Sequence, residues 1–271
     1  MKGTAWMAAG TVLACLLYLA AWPVDADPVA WTPSESPGFS GAFAVNGALS
    51  DVEILPLCRG PEDAAVDEAG WIYGSCGDGS IRRIRRDGTG AQVFARTGGR
   101  PLGLEFDAAG RLLAADAVKG LLRFGADGQV ETLSREADGN PFRLADDLAV
   151  APDGRIYFSD ASHRFGLEDH AADLVVHGGF GRLLRYDPET GTTENLLDGL
   201  QFANGVVVSE KGDFVLVVET GAYRVRKLWL EGPRSGEEEV IADNLPGFPD
   251  GISRGGDGIF WLALAAPRKA V

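Results

Sequence analysis

The sequence is poor in cysteine, histidine and positive charge. Three cysteines in 271 residues are too few for a disulfide-built scaffold. Lys and Arg number 25 against 39 Asp and Glu, a formal charge of −14. Such an acidic surface excludes nucleic acid as a natural partner. It is compatible with cation binding, and equally with plain solubility. No G-x-S-x-G elbow, Walker loop or dinucleotide fingerprint occurs, so the chemistries tied to those motifs are not indicated. Beyond the first 27 residues there is no long amphipathic helical pattern.

What is present begins with a targeting segment, residues 1–27. Lys2 supplies a positive start, residues 5–22 carry no charge, and Pro23 closes the run. Eighteen uncharged residues sit at the lower limit for a bilayer span. The stretch "VDA" at 24–26 also fits a cleavage site. A signal anchor and a cleaved signal peptide both remain open. Either one exports the body to the non-cytoplasmic side, with the membrane touched through the N-terminal segment alone. Cys15 belongs to this segment. Cys58 and Cys76 then form one bridge outside the cytosol or remain two free thiols. Residues 28–41, "PVAWTPSESPGFSG", are rich in Pro, Ser and Gly and read as a linker to a folded body at 42–271.

That body repeats itself. "GPEDAAVDEAGWIYGSC", "RPLGLEFDAAGRLLAAD", "LADDLAVAPDGRIYFSD", "FANGVVVSEKGDFVLVVE" and "FPDGISRGGDGIFWLAL" each hold two short apolar strands about a Gly-containing turn. A third strand follows in "SIRRIRR", "GLLRFGA", "GRLLRYD" and "YRVRKLWL", and a fourth in "AQVFA", "VETLS", "TENLL" and "EEVIA". Four strands in about 40 residues make a propeller blade, so the fold class is all-β, a β-propeller. Unit starts at Glu62, Leu102, Asp146, Asn204 and Asp250 give steps of 40, 44, 58 and 46. The long step holds an insertion, "HRFGLEDHAADLVVHGGF", expected as a loop on one face. On this pattern residue 271 falls inside the fifth blade, an apparent truncation.

In a propeller the first strand of each blade lines the axis, and the residues before it converge there. Glu62, Asp146, Asn204 and Asp250 hold equivalent places in four blades, with Leu102 the apolar exception. Taken singly, each suits a turn cap. Taken together, four oxygen-bearing side chains in phase suit a hard cation, and Ca2+ accepts such a donor set in loose geometry. None of the four is Cys or His, which argues against zinc and copper. His163, His170 and His177 all fall in the insertion, either as plain loop residues or as a proton shuttle beside the axis. Trp71 and Trp261 are expected to pack within inner strands, and Arg82, Arg83, Arg85 and Arg86 to form a solvated strand face.

The stretches "RPLGLEFDAAGRLLAADAVKGLLRF", "DLAVAPDGRIYFSDAS", "GRLLRYDPETG", "LLDGLQFANGVVVS", "FVLVVETGAYRVRKLWLEGP" and "LPGFPDGI" resemble the strictosidine synthase-like family. That group includes adipocyte plasma membrane-associated protein and is related to gluconolactonase and paraoxonase propellers. The resemblance implies a six-bladed propeller with a central calcium. It assigns the ligands to Glu62 of "GPE", Asn204 of "ANG" and Asp250 of "PDG", with Asp146 standing where the family carries Asn. It implies a calcium-dependent hydrolase acting on a small ester or lactone, with Asp250 or Asp146 as general base or nucleophile. A condensing lyase of the strictosidine synthase type and a non-catalytic propeller with structural calcium are the alternatives.

Overall fold

The computed structural model describes residues 2–21, 26–256 and 258–268. Four antiparallel four-stranded sheets follow one another along the chain, each with its strands in sequence order. The first holds β1 (Ala64–Val66), β2 (Trp71–Ser75), β3 (Ser80–Arg85) and β4 (Gln92–Arg96). The second holds β5 (Pro101–Phe106), β6 (Leu112–Asp116), β7 (Gly120–Phe124) and β8 (Val130–Ser134). A small hairpin, β9 (Glu136–Ala137) with β10 (Asn140–Pro141), leads into the third: β11 (Ala145–Val150), β12 (Ile156–Asp160), β13 (Gly181–Asp187) and β14 (Thr192–Leu200). The fourth holds β15 (Ala203–Val208), β16 (Phe214–Glu219), β17 (Arg224–Trp229) and β18 (Glu238–Ala242), and β19 (Gly247–Arg254) pairs with β20 (Phe260–Pro267) beyond it. Among the described residues there are thus four complete blades and two strands of a fifth. The six blades expected from the resemblance are not reached by them.

The apolar core is divided into layers between consecutive blades. Tyr73 and Ile81 of the first pack with Leu104, Leu112 and Leu122 of the second. Leu113 and Leu121 pack with Leu148, Phe158 and Leu184 of the third. Ala149, Tyr157 and Leu183 meet Val206, Val215 and Val217 of the fourth, whose Val207, Leu216 and Val218 meet Ile252 of the fifth. Because each inner sheet is covered on both sides, its second strand is apolar without alternation. The "LLAAD" of β6 and the "IYFSD" of β12 are buried at every position. Burial on both faces ties the position of each first strand to its neighbours, and β1, β5, β11, β15 and β19 adjoin in that order.

Trp71 and Trp261 lie in second strands, not inner ones. Trp71 is half-buried beneath the guanidinium groups of Arg83 and Arg85, 4.9 and 4.7 Å from its ring. The Arg run is therefore only partly a solvated face. Trp261 is 68% exposed, so the packing expectation does not hold there. The insertion is not merely a loop. It carries α2 (His170–Val176), anchored by buried Asp173 and Val176, with Leu174 packed near Leu102, Leu144 and Phe202.

At the N-terminus, Lys2–Ala21 forms a helix, α1, whose described side chains are all exposed. Among the described residues no helix is long and apolar enough to cross a membrane. Residues 24 and 25 of "VDA" lie outside the described residues. The Pro- and Ser-rich segment after them runs against the body. Val29 N–H donates to Val176 O at 2.8 Å, Trp31 stacks on His177 with ring centroids 4.0 Å apart, and Arg268 donates to Ser34 O at 2.5 Å. Cys58 and Cys76 form a disulfide, Cα–Cα 5.9 Å, fastening the approach to the first blade.

Candidate axial site

The inner strands share one local irregularity. The pairing register of β5, β11, β15 and β19 shifts between Pro101 and Leu104, Ala145 and Leu148, Ala203 and Val206, and Pro249 and Ile252. A bulge re-aims the side chains it contains. The two residues inside each shift are Leu102-Gly103, Asp146-Asp147, Asn204-Gly205 and Asp250-Gly251. In the first blade, Glu62-Asp63 stands directly before β1. The amide of Asp63 donates to Ser75 Oγ at 3.0 Å, as that of Asp147 does to Ser159 Oγ at 3.0 Å.

Four of the five first members face the axis, while Leu102 packs instead with Leu144, Ala161 and Phe202. Glu62, Asp146, Asn204 and Asp250 all line one cavity of 740 Å³ along the inner strands. Asp146 and Asn204 are buried, Asp250 is half-buried, and the Glu62 side chain keeps 41% of its surface open. Burial pushes Asp146 well above the usual carboxylate range, and the charges of Asp250 and Glu62 push it further. Glu62 is raised by burial and then by Asp250. Asp250 is raised by burial, partly offset by a hydrogen bond from the Asn204 side chain. The three carboxylates therefore disfavour one another's ionisation. Arg100 opposes this: its Nη2 donates to Glu62 Oε2 at 2.9 Å, and its charge lowers both Glu62 and Asp146.

The second member either ties blades together or is absent. Asp63 Oδ2 accepts from Leu104 N at 2.8 Å, and Asp147 Oδ2 from Val206 N at 2.8 Å. Gly103 and Gly205 occupy the same place where the next blade passes too close for a side chain. A Cβ on Gly103 would lie 2.5 Å from Asp147 Oδ1, and one on Gly205 2.5 Å from the Asp250 carbonyl oxygen. Deeper in the cavity, Glu105 Oε2 accepts from Val150 N at 2.9 Å, and burial pushes Glu105 up to about 7. Arg254 lines the same wall.

Sequence reading found the first-member residues and missed Asp63, Glu105, Arg100 and Arg254. The doubled acids of "PED" and "ADD" carried a signal for Asp63, while nothing local in "RPLGL" marks Arg100. Of the three histidines, His170 lies within electrostatic reach of Glu62, His163 meets the edge of Phe180, and His177 sits beneath Trp31. The donor set, three carboxylates and an amide, has the chemistry a hard cation requires. No three His, Cys, Asp or Glu side chains among the described residues converge as a ready-made metal cluster.

Comparison with known proteins agrees with this architecture. The family described as strictosidine synthase matches residues 146–233, and its strictosidine synthase-like N-terminal counterpart matches residues 41–84. The chain is 35% identical over 268 residues to strictosidine synthase-like protein 7 of Arabidopsis thaliana, covering 93% of this chain and 71% of that one. It is 34% identical to adipocyte plasma membrane-associated protein of Bos taurus, over 91% of this chain and 63% of that one. Among solved structures, a gluconolactonase from Xanthomonas campestris superposes with a TM-score of 0.66 at 23% identity, over 78% of this chain and 71% of the other. The calcium-binding protein regucalcin from Agrobacterium tumefaciens superposes at 0.60 and 19%, over 75% and 67%. At these identities the two structures speak for the fold alone. The level of identity and the extent of the match to the plant protein decide the family: this chain belongs to the strictosidine synthase-like proteins.

Proposed function

We propose that the protein is a calcium-dependent hydrolase of small esters or lactones, acting in the axial cavity. One observation carries the reading. Three carboxylates and an amide from four blades line one cavity, and neighbouring carboxylates raise the proton affinity of Asp146 and Glu62 with Arg100 opposing them. Such a group is stabilised by a divalent cation. The fold shared with a gluconolactonase and with a calcium-binding regucalcin supports the same reading.

Glu62, Asp146, Asn204 and Asp250 would hold the ion. Calcium, when bound, would act as a Lewis acid toward a substrate carbonyl oxygen. Asp250 is the general base: its carboxylate would take a proton from water as the water oxygen bonds to the acyl carbon, and would pass that proton to the departing oxygen as the acyl C–O bond breaks. The Asn204 amide fixes the direction of the Asp250 carboxylate. Asp146 is buried, and burial with the neighbouring charges of Asp250 and Glu62 pushes its carboxyl well above the usual carboxylate range in the free protein.

The test is turnover of phenyl acetate and of a simple γ-lactone with calcium, with chelator, and by Asp250→Asn. Calcium-dependent turnover that Asp250→Asn abolishes is the expected result. Calcium binding without turnover of either substrate would overturn the hydrolase assignment. We further infer that the propeller lies on the non-cytoplasmic side of a membrane. The Cys58–Cys76 disulfide and the exposed apolar helix α1 favour export, since such bridges persist in oxidising compartments. Fractionation of the full chain into the cytosol with both thiols reduced would contradict it.

A further inference from the structure

Arg100 stands one residue before β5, and its side chain leaves its own blade. The backbone amide is fixed by Asp116 Oδ1 at 3.0 Å. The guanidinium reaches back to the first blade, where Nη2 donates to Glu62 Oε2 at 2.9 Å and to Gly60 O at 3.1 Å. The side chain is 15% exposed, and its Nη1 is buried without a hydrogen-bond partner among the described residues. A buried guanidinium normally satisfies its donors, and an orphaned one is costly. Arg100 therefore sits where the axial charge demands, not where its own hydrogen bonds would be complete.

We propose that Arg100 is a built-in counter-cation that competes with a metal ion for Glu62, so that cation binding at the axis exchanges one positive charge for another. This rests on the metal reading above and adds a regulator to it. The Glu62 oxygen that meets Arg100 at 2.9 Å cannot turn fully to an axial ion while it keeps that bond. The guanidinium charge acts on Asp146 as well as Glu62, so it also repels any cation held between them. Arg100 thus stabilises the metal-free protein and weakens its affinity for metal. It is a positioning residue for Glu62 and sets the calcium concentration at which the site fills.

Calorimetric titration with calcium, paired with thermal melts, tests this without any activity assay. Arg100→Met should bind calcium about tenfold more tightly than the natural protein, since it removes both the competing bond and the repulsion. Its calcium-free form should melt lower, and its rise on saturating calcium should be larger. Arg100→Lys keeps the charge and should stay within about threefold of the natural affinity. Arg100→Gln gives the same reading as the methionine variant should that one not fold. Equal or weaker calcium binding by Arg100→Met and Arg100→Gln, with the natural protein binding normally, overturns the exchange and leaves the metal site standing. Absence of calcium binding in all the proteins overturns the metal site itself, and the exchange with it.

Discussion

Asp147 of β11 accepts a hydrogen bond from the backbone amide of Val206 in β15, 2.8 Å away, so one carboxylate fastens the third blade to the fourth. Its other oxygen accepts from Leu148 N at 2.8 Å. Asp63 does the same between the first and second blades, to Leu104 N at 2.8 Å and Ala64 N at 2.7 Å. The two adjacent acids of "ADD" thus have separate tasks: Asp146 faces the cavity, and Asp147 holds the wall together.

Asp147→Ala should leave two largely buried backbone amides without acceptors and lower stability by about 2–4 kcal/mol. Asp147→Asn keeps one oxygen acceptor but turns its NH2 toward the second amide, and should lose about 1–2 kcal/mol, less than the alanine variant. Burial and then Asp63 push the Asp147 carboxyl well above the usual carboxylate range, while its two backbone hydrogen bonds pull it down. Urea unfolding of the two variants checks this. Equal losses would mean that the charge, not the acceptor, matters at this position.

Glu105 makes stability depend on pH in a definite direction. Burial lifts it to about 7 in the folded protein, above the ordinary 4.5, so the folded state binds the proton more tightly. Stability should therefore fall as pH rises from about 4.5 to about 7, by about 3 kcal/mol from this group alone. Asp146 and Asp147 shift in the same direction and add to the slope. Glu105→Gln retains an acceptor for Val150 N and should flatten the profile, leaving the variant more stable than the natural protein at pH 8. Chemical denaturation at pH 5 and pH 8 in chelator measures it, and an unchanged slope would contradict the assignment.

Arg182 and Asp160 form an ion pair that is almost fully buried, with Nη2 to Oδ2 at 2.6 Å and side-chain exposures of 4% and 0%. Asp160 Oδ1 also accepts from Arg143 N at 3.1 Å and Leu144 N at 2.9 Å, which shapes the entry to β11 and hence the position of Asp146. Arg182→Met should cost about 3–5 kcal/mol, because it leaves Asp160 buried without a counter-charge. The exposed pair Arg111–Asp107 at 2.8 Å should by comparison give a loss of less than about 1 kcal/mol when Arg111 is replaced. Thermal melts of both variants decide this.

Calcium should raise the melting temperature, and chelator should lower it. At a hundredfold excess over the dissociation constant the expected stabilisation is about 3 kcal/mol. Asn204→Ala should remove most of that response, as it deletes an oxygen donor and frees Asp250. Asp146→Asn should weaken the response and keep it, because an amide oxygen still faces the cavity while one of the mutually repelling charges is gone. Magnesium should substitute poorly, since it demands tighter octahedral geometry. Melts that ignore calcium, chelator and Asn204→Ala alike would leave the axial cavity without a metal.

The sequence by itself determined the blade. Gly-containing turns between short apolar runs, repeated at steps of 40 to 58 residues, placed the strands of the blades, though not the β9–β10 hairpin, and the phase of Glu62, Asp146, Asn204 and Asp250. That information is local: a turn and an apolar run are each written within a few residues. The helix α2 and the exposure of Trp261 were misjudged because both depend on which neighbouring sheet or segment covers a residue. Arg100 was invisible for a related reason. It lies 38 positions from Glu62, and its meaning is the ion pair formed when two blades are brought side by side. The choice between a bridge and free thiols at Cys58 and Cys76, and the split of tasks between Asp146 and Asp147, were likewise settled by distance in space. Electrostatic and hydrogen-bonding energies act over a few ångströms, and only the closed packing of blades fixes which charges come within that range.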